Sequence, residues 1–220
     1  MNPPVAVRSR LPRAEREQQM LATAHALFAD RGYAAVTMDE VAATVGVTKP
    51  LLYAYFGNKE RLYLECMRPS GDALLQTVVD AVAQTSTPAG ALRSGIHAFF
   101  EFLDRDRSAW RVLFDETLPA SGEVARRVGQ YRERLADVVT ATLQEQIPTR
   151  AGSRARTELA ALSAALLGAA EALGRWWLRS GSISAGQAAE LLISTVEPGL
   201  RARAERPPRP PADRTEDRNR

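Results

Sequence analysis

Hydroxyl, ammonium and phenol side chains that could bind nucleic acid crowd into one short stretch, residues 37–59. The ammonium group of Lys49 can donate to a guanine edge or a phosphate, and the hydroxyl groups of Thr48 and Tyr53 can donate there as well. The sequence pairs no nucleophile with a base, and it has neither a Gly-rich phosphate loop nor metal-ligand spacing. One cysteine, Cys66, and two histidines are too few for a structural zinc site. We therefore expect a binding protein with no metal, no cofactor and no catalytic residue.

Two short predicted helices place these side chains. The first begins at Thr37, and Glu40 three residues later completes a capping-box pattern that would satisfy two backbone N–H groups. It stops at Gly46, whose freedom to adopt left-handed dihedral angles suits a tight turn. The second opens at Thr48 and tolerates Pro50, because the first turn of a helix has no internal use for that N–H. Two helices joined in this way predict a helix-turn-helix, whose second helix would enter the major groove of DNA.

Helical periodicity runs through most of the remaining chain, and no run of β-branched residues predicts a strand. We expect an all-α fold, with an N-terminal three-helix helix-turn-helix domain and a C-terminal helical domain for ligand binding and dimerisation. Helix one spans about residues 13–31 and helix four about 59–67, where Pro69 and Gly71 predict a break. Further helices are predicted at about 71–85, 88–104, 107–117, 122–147, 154–180 and 184–204. The predicted divisions are a flexible basic arm (1–12), the helix-turn-helix domain (13–58), the sensing and dimerisation domain (59–204) and a disordered tail rich in Pro and Arg (205–220).

Residues 32–65, GYAAVTMDEVAATVGVTKPLLYAYFGNKERLYLE, resemble the TetR family of transcriptional regulators almost element by element. The shared pattern is an aromatic residue after Gly, Thr before helix two, "VA…GV[ST]" at the turn, "LYxYF" in helix three, and Lys-Glu after a short break. The resemblance covers about residues 13–65, and the rest of the chain is compatible through its helical content. It implies a homodimer that binds a double-stranded DNA operator and a small-molecule effector.

The resemblance also implies roles for individual residues. Those expected at backbone phosphates are Thr37, Tyr55 and Lys59, and those expected in the groove are Thr48, Lys49, Pro50, Leu51 and Tyr53. Leu51 departs from the small or polar residue often found at its position and could touch a thymine methyl group. The basic arm, with Arg8, Arg10 and Arg13, could reach a minor groove or phosphates. Ordinary roles compete with these: the threonines are good helix caps, Tyr53 could pack against helix one, and the arm could be a solvated tail.

The predicted helix at about 154–180 is apolar on two opposite sides. One stripe comprises Leu159, Leu162, Leu166, Ala170, Leu173 and Trp177, and the other comprises Ala161, Ala165, Gly168, Ala172 and Trp176. The first stripe could pack on its own domain while the second, made of small residues, lets a partner helix approach closely. Together with the last helix it would form a four-helix bundle in a dimer. The alternative is that both faces are buried inside a monomer.

An effector site is expected among the middle helices, which hold most of the aromatic residues and would suit a hydrophobic or planar molecule. The candidate ligand-binding residues are His97, Phe100, Trp110, Phe114, Tyr131, Glu171, Arg175 and Trp176. For each of them, a role in the core or on the solvent-exposed surface competes with ligand binding.

Together these features predict a sequence-specific regulator, a homodimeric repressor released from a palindromic operator by a small hydrophobic or aromatic ligand. The alternative is a ligand-independent regulator or an activator on the same fold, and the missing catalytic pattern disfavours an enzyme. The N-terminus shows no signal peptide, and the longest apolar stretch, residues 159–170, is too short for a bilayer. We therefore expect a cytoplasmic protein without a membrane partner.

Overall fold

The computed structural model describes residues 12–147 and 153–205, and side chains for all of these except 153 and 154. Regular secondary structure in the described residues is entirely helical, which confirms the predicted fold class. The helices are α1 (Arg13–Ala35), α2 (Met38–Val45), α3 (Lys49–Phe56), α4 (Lys59–Ala83), α5 (Pro88–Arg105), α6 (Arg107–Leu113), α7 (Glu123–Gln146), α8 (Ser153–Ser180) and α9 (Ala185–Ala204). Arg8 and Arg10 of the predicted arm, and the tail from residue 206 onward, lie outside the described residues.

The start of α2 matches half of the predicted capping box. The Thr37 hydroxyl accepts a hydrogen bond from the Glu40 backbone N–H at 3.2 Å, which satisfies one of the amides that a helix N-terminus leaves unpaired. The Glu40 side chain does not complete the box, because its carboxylate pairs with the Arg31 guanidinium of α1. The acidic side chain therefore ties α2 to α1.

The turn between α2 and α3 has the geometry that its glycine predicts. Gly46 adopts left-handed dihedral angles, φ 78° and ψ 35°, and its N–H donates to the Ala42 carbonyl at 3.0 Å. Thr48 then caps α3 by accepting from the Leu51 N–H at 3.4 Å. Leu52 is fully buried, so the rest of α3 is anchored from its inner face. These local signals set the direction in which α3 leaves the turn.

The helix α4 runs further than the sequence predicts, because the expected break at Pro69 and Gly71 is absent. A Cβ on Gly71 would lie 2.5 Å from Cζ of the Tyr131 ring, so this glycine permits the close approach of α7 and does not end a helix. The exposed Pro69 removes one backbone donor, which a long helix with a packed face tolerates. In the same way α9 continues through Pro198 to Ala204.

The chain forms two compact units, each made of two stretches of the sequence. The described parts of Met1–Leu75 and Arg105–Tyr131 make the first unit, and those of Gln76–Asp104 and Arg132–Arg220 make the second. The first unit therefore contains α6 and the beginning of α7 besides the helix-turn-helix, and α6 packs along α1.

Specific contacts explain why α6 joins the first unit. The buried Tyr63 hydroxyl of α4 donates to the Val112 carbonyl of α6 at 2.5 Å. Burial also raises the pKa of the neighbouring Cys66 thiol to about 12, in keeping with the buried structural cysteine that its apolar neighbours favour. The side chains of α4 thus form a core that is shared by elements distant in sequence.

The second unit has an aliphatic core built from α5, α7, α8 and α9. Its central cluster consists of Leu92, Leu143, Ile147, Leu159, Leu166 and Leu200. Trp177 is buried as well, and its indole N–H donates to the Ile183 carbonyl at 2.7 Å. By length and composition, residues Ala155–Ser180 of α8 could cross a membrane, so the predicted limit of residues 159–170 was too narrow. One stripe of α8 nevertheless contributes to this core, and core helices of soluble proteins pass the same test.

The two apolar faces of α8 differ in how deeply the single chain buries them. The leucine stripe is buried or half-buried, with Leu159 and Leu166 in the core. The small-residue stripe is exposed: Trp176 keeps 45% of its surface accessible, and Gly168 has no atom within 4 Å of where a Cβ would lie. On the neighbouring α9, Leu191 is 51% exposed. The alternative in which a monomer buries both faces of α8 is therefore wrong.

Candidate nucleic-acid interface and ligand cavity

The first turns of α3 present most of the predicted groove residues to solvent. Thr48, Lys49 and Pro50 are exposed, and Leu51 is half-buried. Tyr53 is 39% exposed, so part of its side chain is accessible to a partner. A helix that buries its C-terminal aromatic residue and exposes its N-terminal polar end has the form of a major-groove reader.

The Lys49 ammonium already has a counterion. Its Nζ lies 2.8 Å from Oδ1 of Asp39 on α2 and 5.9 Å from the centroid of the Tyr53 ring. The hydrogen bond to Asp39 raises the pKa of Lys49 further above its ordinary value, so the side chain stays a cation. Both partners of the pair are more than half exposed, and water weakens their attraction. A phosphate or a guanine edge can therefore compete for this ammonium.

A second cation lies on an aromatic ring of α3. The Arg13 guanidinium, in the first turn of α1, is 5.3 Å from the centroid of the half-buried Tyr55 ring. Cation–π attraction of this kind orients both side chains. The structure thus brings together two residues that the sequence assigned separately, one to the basic arm and one to the phosphate contacts.

The predicted phosphate contact Lys59 lies at the start of α4, away from those two pairs in sequence. Its Nζ is 4.4 Å from the centroid of the Tyr33 ring, and it donates to the Ala34 carbonyl at 3.4 Å. Partial burial lowers the pKa of Lys59, while burial of Tyr33 raises the pKa of its phenol. Thr37 is exposed and uses an oxygen lone pair as a cap, which leaves its hydroxyl hydrogen available to a phosphate.

Sequence reasoning missed Asp39 and Tyr33 as members of this surface. Asp39 and Lys49 are ten residues apart on different helices, so no helical spacing relates them. Tyr33 occupies the aromatic position of the quoted motif, and that pattern was the signal available for it.

The second unit encloses an apolar cavity of about 60 Å³ between α4, α5, α7, α8 and α9. Its walls are Val78, Val82, Ala91, Leu92, Gly95, Ile96, Phe99, Leu135, Val138, Val139, Thr142, Leu166, Leu167, Ala170 and Leu192. Thr142 supplies the one polar side chain among these walls, and its hydroxyl donates to the Val138 carbonyl at 2.9 Å. The cavity can therefore hold a hydrocarbon group, and its side chains have little to offer a charged one.

None of the eight predicted ligand residues lies in the walls of this cavity. Three of them belong to the first unit. The Trp110 and Phe114 rings stack on each other with centroids 3.8 Å apart, and the Tyr131 hydroxyl donates to Asp72 Oδ1 at 2.7 Å. These aromatic residues pack within the helix-turn-helix unit, so they do not serve this cavity.

The other five lie in the second unit but are engaged elsewhere or face outward. His97 bonds Glu190 at 2.8 Å, and Glu171 accepts two hydrogen bonds from the Arg132 guanidinium, at 2.9 and 3.0 Å. Phe100 is buried against Trp177, Arg175 is half-buried and Trp176 is exposed. The aromatic residues proposed for ligand binding thus lie in the core or on the surface, whereas the cavity is lined mainly by aliphatic side chains.

Comparisons with known proteins match two separate stretches of the chain. The family model "Bacterial regulatory proteins, tetR family" matches residues 20–66, and the model "Tetracyclin repressor-like, C-terminal domain" matches residues 88–197. A crystal structure of a TetR-like transcriptional regulator from Rhodococcus sp. RHA1 is similar, with a TM-score of 0.71 and 31% identity over 87% of this chain and 98% of that chain.

Two curated relatives carry functional names of opposite sign. The HTH-type transcriptional activator FasR of Mycolicibacterium smegmatis is 38% identical over 131 residues, which is 60% of this chain and 60% of FasR. The HTH-type transcriptional repressor KstR2 of Mycobacterium tuberculosis is 28% identical over 135 residues, which is 59% of this chain and 68% of KstR2. The match to FasR thus leaves more than a third of that relative uncovered.

Proposed function

This chain belongs to the TetR family of bacterial regulatory proteins and is a DNA-binding transcriptional regulator, and from that premise we propose how it reads DNA and what controls it. The observation that carries the proposal is the exposed N-terminal end of α3, set by the Gly46 turn and bearing Lys49 beside Tyr53. We assign base contacts in the major groove to Thr48, Lys49, Pro50, Leu51 and Tyr53. We assign backbone phosphate contacts to Thr37, Tyr55, Lys59 and Arg13, and the same role falls to Arg8 and Arg10 if the arm extends along the DNA.

The regulator acts as a homodimer in this proposal. The exposed stripe of α8 and the exposed Leu191 of α9 form an apolar surface on two helices that pack against each other. Small residues at the centre, such as Gly168, let the same helix of a second copy approach closely. Two-fold symmetry would then present two reader helices to a palindrome with half-sites about one helical turn apart, or somewhat more.

The effector in this proposal is a small aliphatic molecule that binds in the cavity of the second unit. The cavity walls carry a single aromatic ring, that of Phe99, and a single hydroxyl group, which Thr142 already uses internally. Of the two predicted kinds of ligand, this composition favours a hydrophobic aliphatic molecule over an aromatic one. Binding that favours one of two conformations would change DNA affinity by the ratio of the effector's affinities for them.

Repression relieved by the effector is our first candidate for the sign of regulation, and the name of KstR2 accords with it. Activation is the second candidate, because FasR, a named activator, is 38% identical over the matched region. We place the protein in the cytoplasm, where operator DNA is accessible. A reporter gene behind the operator separates the two signs: deletion of the regulator raises expression under repression and lowers it under activation.

The first experiment measures DNA binding by the reader residues. An operator fragment is selected from random-sequence DNA with the wild-type protein and is then titrated with Lys49→Ala. We expect a loss of at least tenfold in affinity, since a good contact to a guanine edge contributes about 1–3 kcal/mol. Arg134→Ala, which removes the same charge from an exposed position on α7, is the matched control and should bind as the wild type does. Equal binding by Lys49→Ala and Arg134→Ala would refute the reader assignment.

A further inference from the structure

The loop that follows Gly32 of α1 is held by residues that lie more than eighty positions away in sequence. Gly32 departs from helical geometry, with φ 78° and ψ 164°, so the next two N–H groups bond partners outside α1. The Asp115 carboxylate accepts from the Tyr33 N–H, and the Thr117 hydroxyl oxygen accepts from the Ala34 N–H at 3.1 Å. Both acceptors lie between α6 and α7, in the same unit as the loop.

The two acceptors also fix each other. Asp115 Oδ1 accepts from both the Thr117 N–H and the Thr117 hydroxyl, each at 2.8 Å. A Cβ on Gly32 would lie 3.0 Å from the Thr117 hydroxyl oxygen and 3.2 Å from the Asp115 carboxylate, so the pair fits closely against a glycine. We call Asp115 and Thr117 the loop clamp. It is a preformed structure, and its acceptors are aimed at two adjacent backbone groups.

On its other side the same segment contacts Lys59, the first residue of α4. The ammonium lies over the Tyr33 ring and donates to the Ala34 carbonyl. The Tyr33 ring is itself fixed by an edge-to-face contact with the buried Tyr63, at 5.0 Å between centroids. The clamp therefore holds the two residues on which the Lys59 head group rests, while α4 holds the stem of that lysine.

We propose that Asp115 and Thr117 are positioning residues for DNA binding: by holding the backbone of Tyr33 and Ala34, they fix the ring and the carbonyl that aim the Lys59 ammonium at an operator phosphate. A lysine side chain is flexible and loses conformational entropy when it binds. A lysine that is already oriented loses less, and it binds phosphate more tightly. The inference rests on the proposed phosphate contact of Lys59.

The test compares the salt dependence of operator binding for four proteins: wild type, Lys59→Gln, Asp115→Ala and the double variant. Each lysine–phosphate contact contributes about 0.9 to the slope of log affinity against log salt. We expect Lys59→Gln to reduce the slope by about 1 per protomer. Asp115→Ala should reduce both the slope and the affinity, the latter several-fold. The double variant should bind no worse than Lys59→Gln, because the clamp acts through the lysine.

Two controls separate positioning from folding and from net charge. Glu116→Ala removes one negative charge from the next residue of the chain and should keep the wild-type slope. Thr117→Val leaves the Asp115 carboxylate in place, removes the acceptor for Ala34, and should show a smaller version of the same effect. Titrations are run well below the thermal midpoint of every variant, so that loss of folded protein does not imitate loss of binding.

The outcomes point to different failures. An Asp115→Ala protein with the wild-type slope, or a double variant in which the two losses simply add, would overturn the clamp proposal and leave Lys59 as a phosphate contact. A Lys59→Gln protein with the wild-type slope would overturn both. The reader assignment of α3 would survive either result, because Lys49→Ala tests it separately.

Discussion

The two units offer opposite chemistry to the partners that we propose for them. In the first, Lys49, Tyr53 and Lys59 present charge and hydrogen-bond donors beside water, and their neighbours Asp39 and Tyr33 already engage them. In the second, the cavity and the exposed face of α8 are almost entirely hydrocarbon. Salt should weaken what the first unit binds and leave what the second unit binds nearly unchanged. Under our proposal, this difference keeps the DNA site and the effector site selective for unlike molecules.

The largest effect should come from the exposed stripe of α8. Gly168→Glu places a carboxylate where nothing lies within 4 Å of a Cβ, so the single chain folds, but a second copy can no longer approach. We expect a monomer by light scattering and a loss of operator affinity of roughly a hundredfold or more, because one half-site no longer helps the other.

Gly129→Glu is the matched control for this variant. It makes the same change on α7, also with nothing within 4 Å of the Cβ position, and it should leave the oligomeric state as it is. A Gly168→Glu protein with the mass of the wild type would refute the proposed dimer face. The cavity would then be the one apolar binding surface proposed for the second unit.

A smaller effect is expected in the cavity. Gly95 lies in its wall, and a Cβ there would be 3.2 Å from Val82 Cγ2, so Gly95→Leu fills part of the space. We expect binding of 1-hexanol, an uncharged aliphatic probe, measured by calorimetry, to weaken by about tenfold, or about 1.4 kcal/mol, while operator affinity without 1-hexanol stays unchanged. The wild type should prefer 1-hexanol to 2-naphthol, because the cavity has one aromatic wall residue.

The matched control here is Gly129→Leu, which makes the same substitution on α7 outside the cavity walls, with nothing within 4 Å of the Cβ position. It should bind 1-hexanol as the wild type does. Undiminished binding by Gly95→Leu would mean that an aliphatic effector occupies some other site.

The smallest effect concerns pH and the first unit. Burial lowers the pKa of His25 on α1, and the nearby Asp106 carboxylate opposes this only in part. A lowered folded-state pKa means that the unfolded chain takes up its proton first as the pH falls. Stability from this residue is thus complete above the ordinary value of 6.5 and declines as the pH falls below it. The urea midpoint should drop modestly between pH 7.5 and 5.5, and the drop should shrink in His25→Gln; an equal drop in both proteins would contradict this.

The helix-turn-helix could be predicted from sequence because its signals are local. Thr37, Gly46 and Thr48 mark helix ends with chemistry that acts within four residues, and the exposed residues follow from those ends. The prediction of a helix break at Gly71 was wrong for the opposite reason. This glycine makes room for the ring of Tyr131 on α7, which lies sixty positions away in sequence.

The cavity and the ion pairs could not be predicted in the same way. A cavity is the space that remains after side chains pack, and aliphatic residues that line it look the same in sequence as those that fill the core. Trp110 and Phe114 stack on each other within the first unit and are not among the cavity walls. Glu171 of α8 forms an ion pair with Arg132 of α7. The spacing of residues along α8 alone could not predict this pair, because its partner lies on another helix.

The Asp39 carboxylate of α2 competes with DNA for the Lys49 ammonium of α3. DNA that binds Lys49 must displace a carboxylate that lies 2.8 Å from the ammonium. A guanine edge and its neighbouring contacts can outcompete Asp39, whereas an isolated phosphate met at random gains less from the exchange. A genome offers vastly more wrong sites than right ones. We therefore expect the carboxylate to shorten the time that the protein spends on the wrong ones.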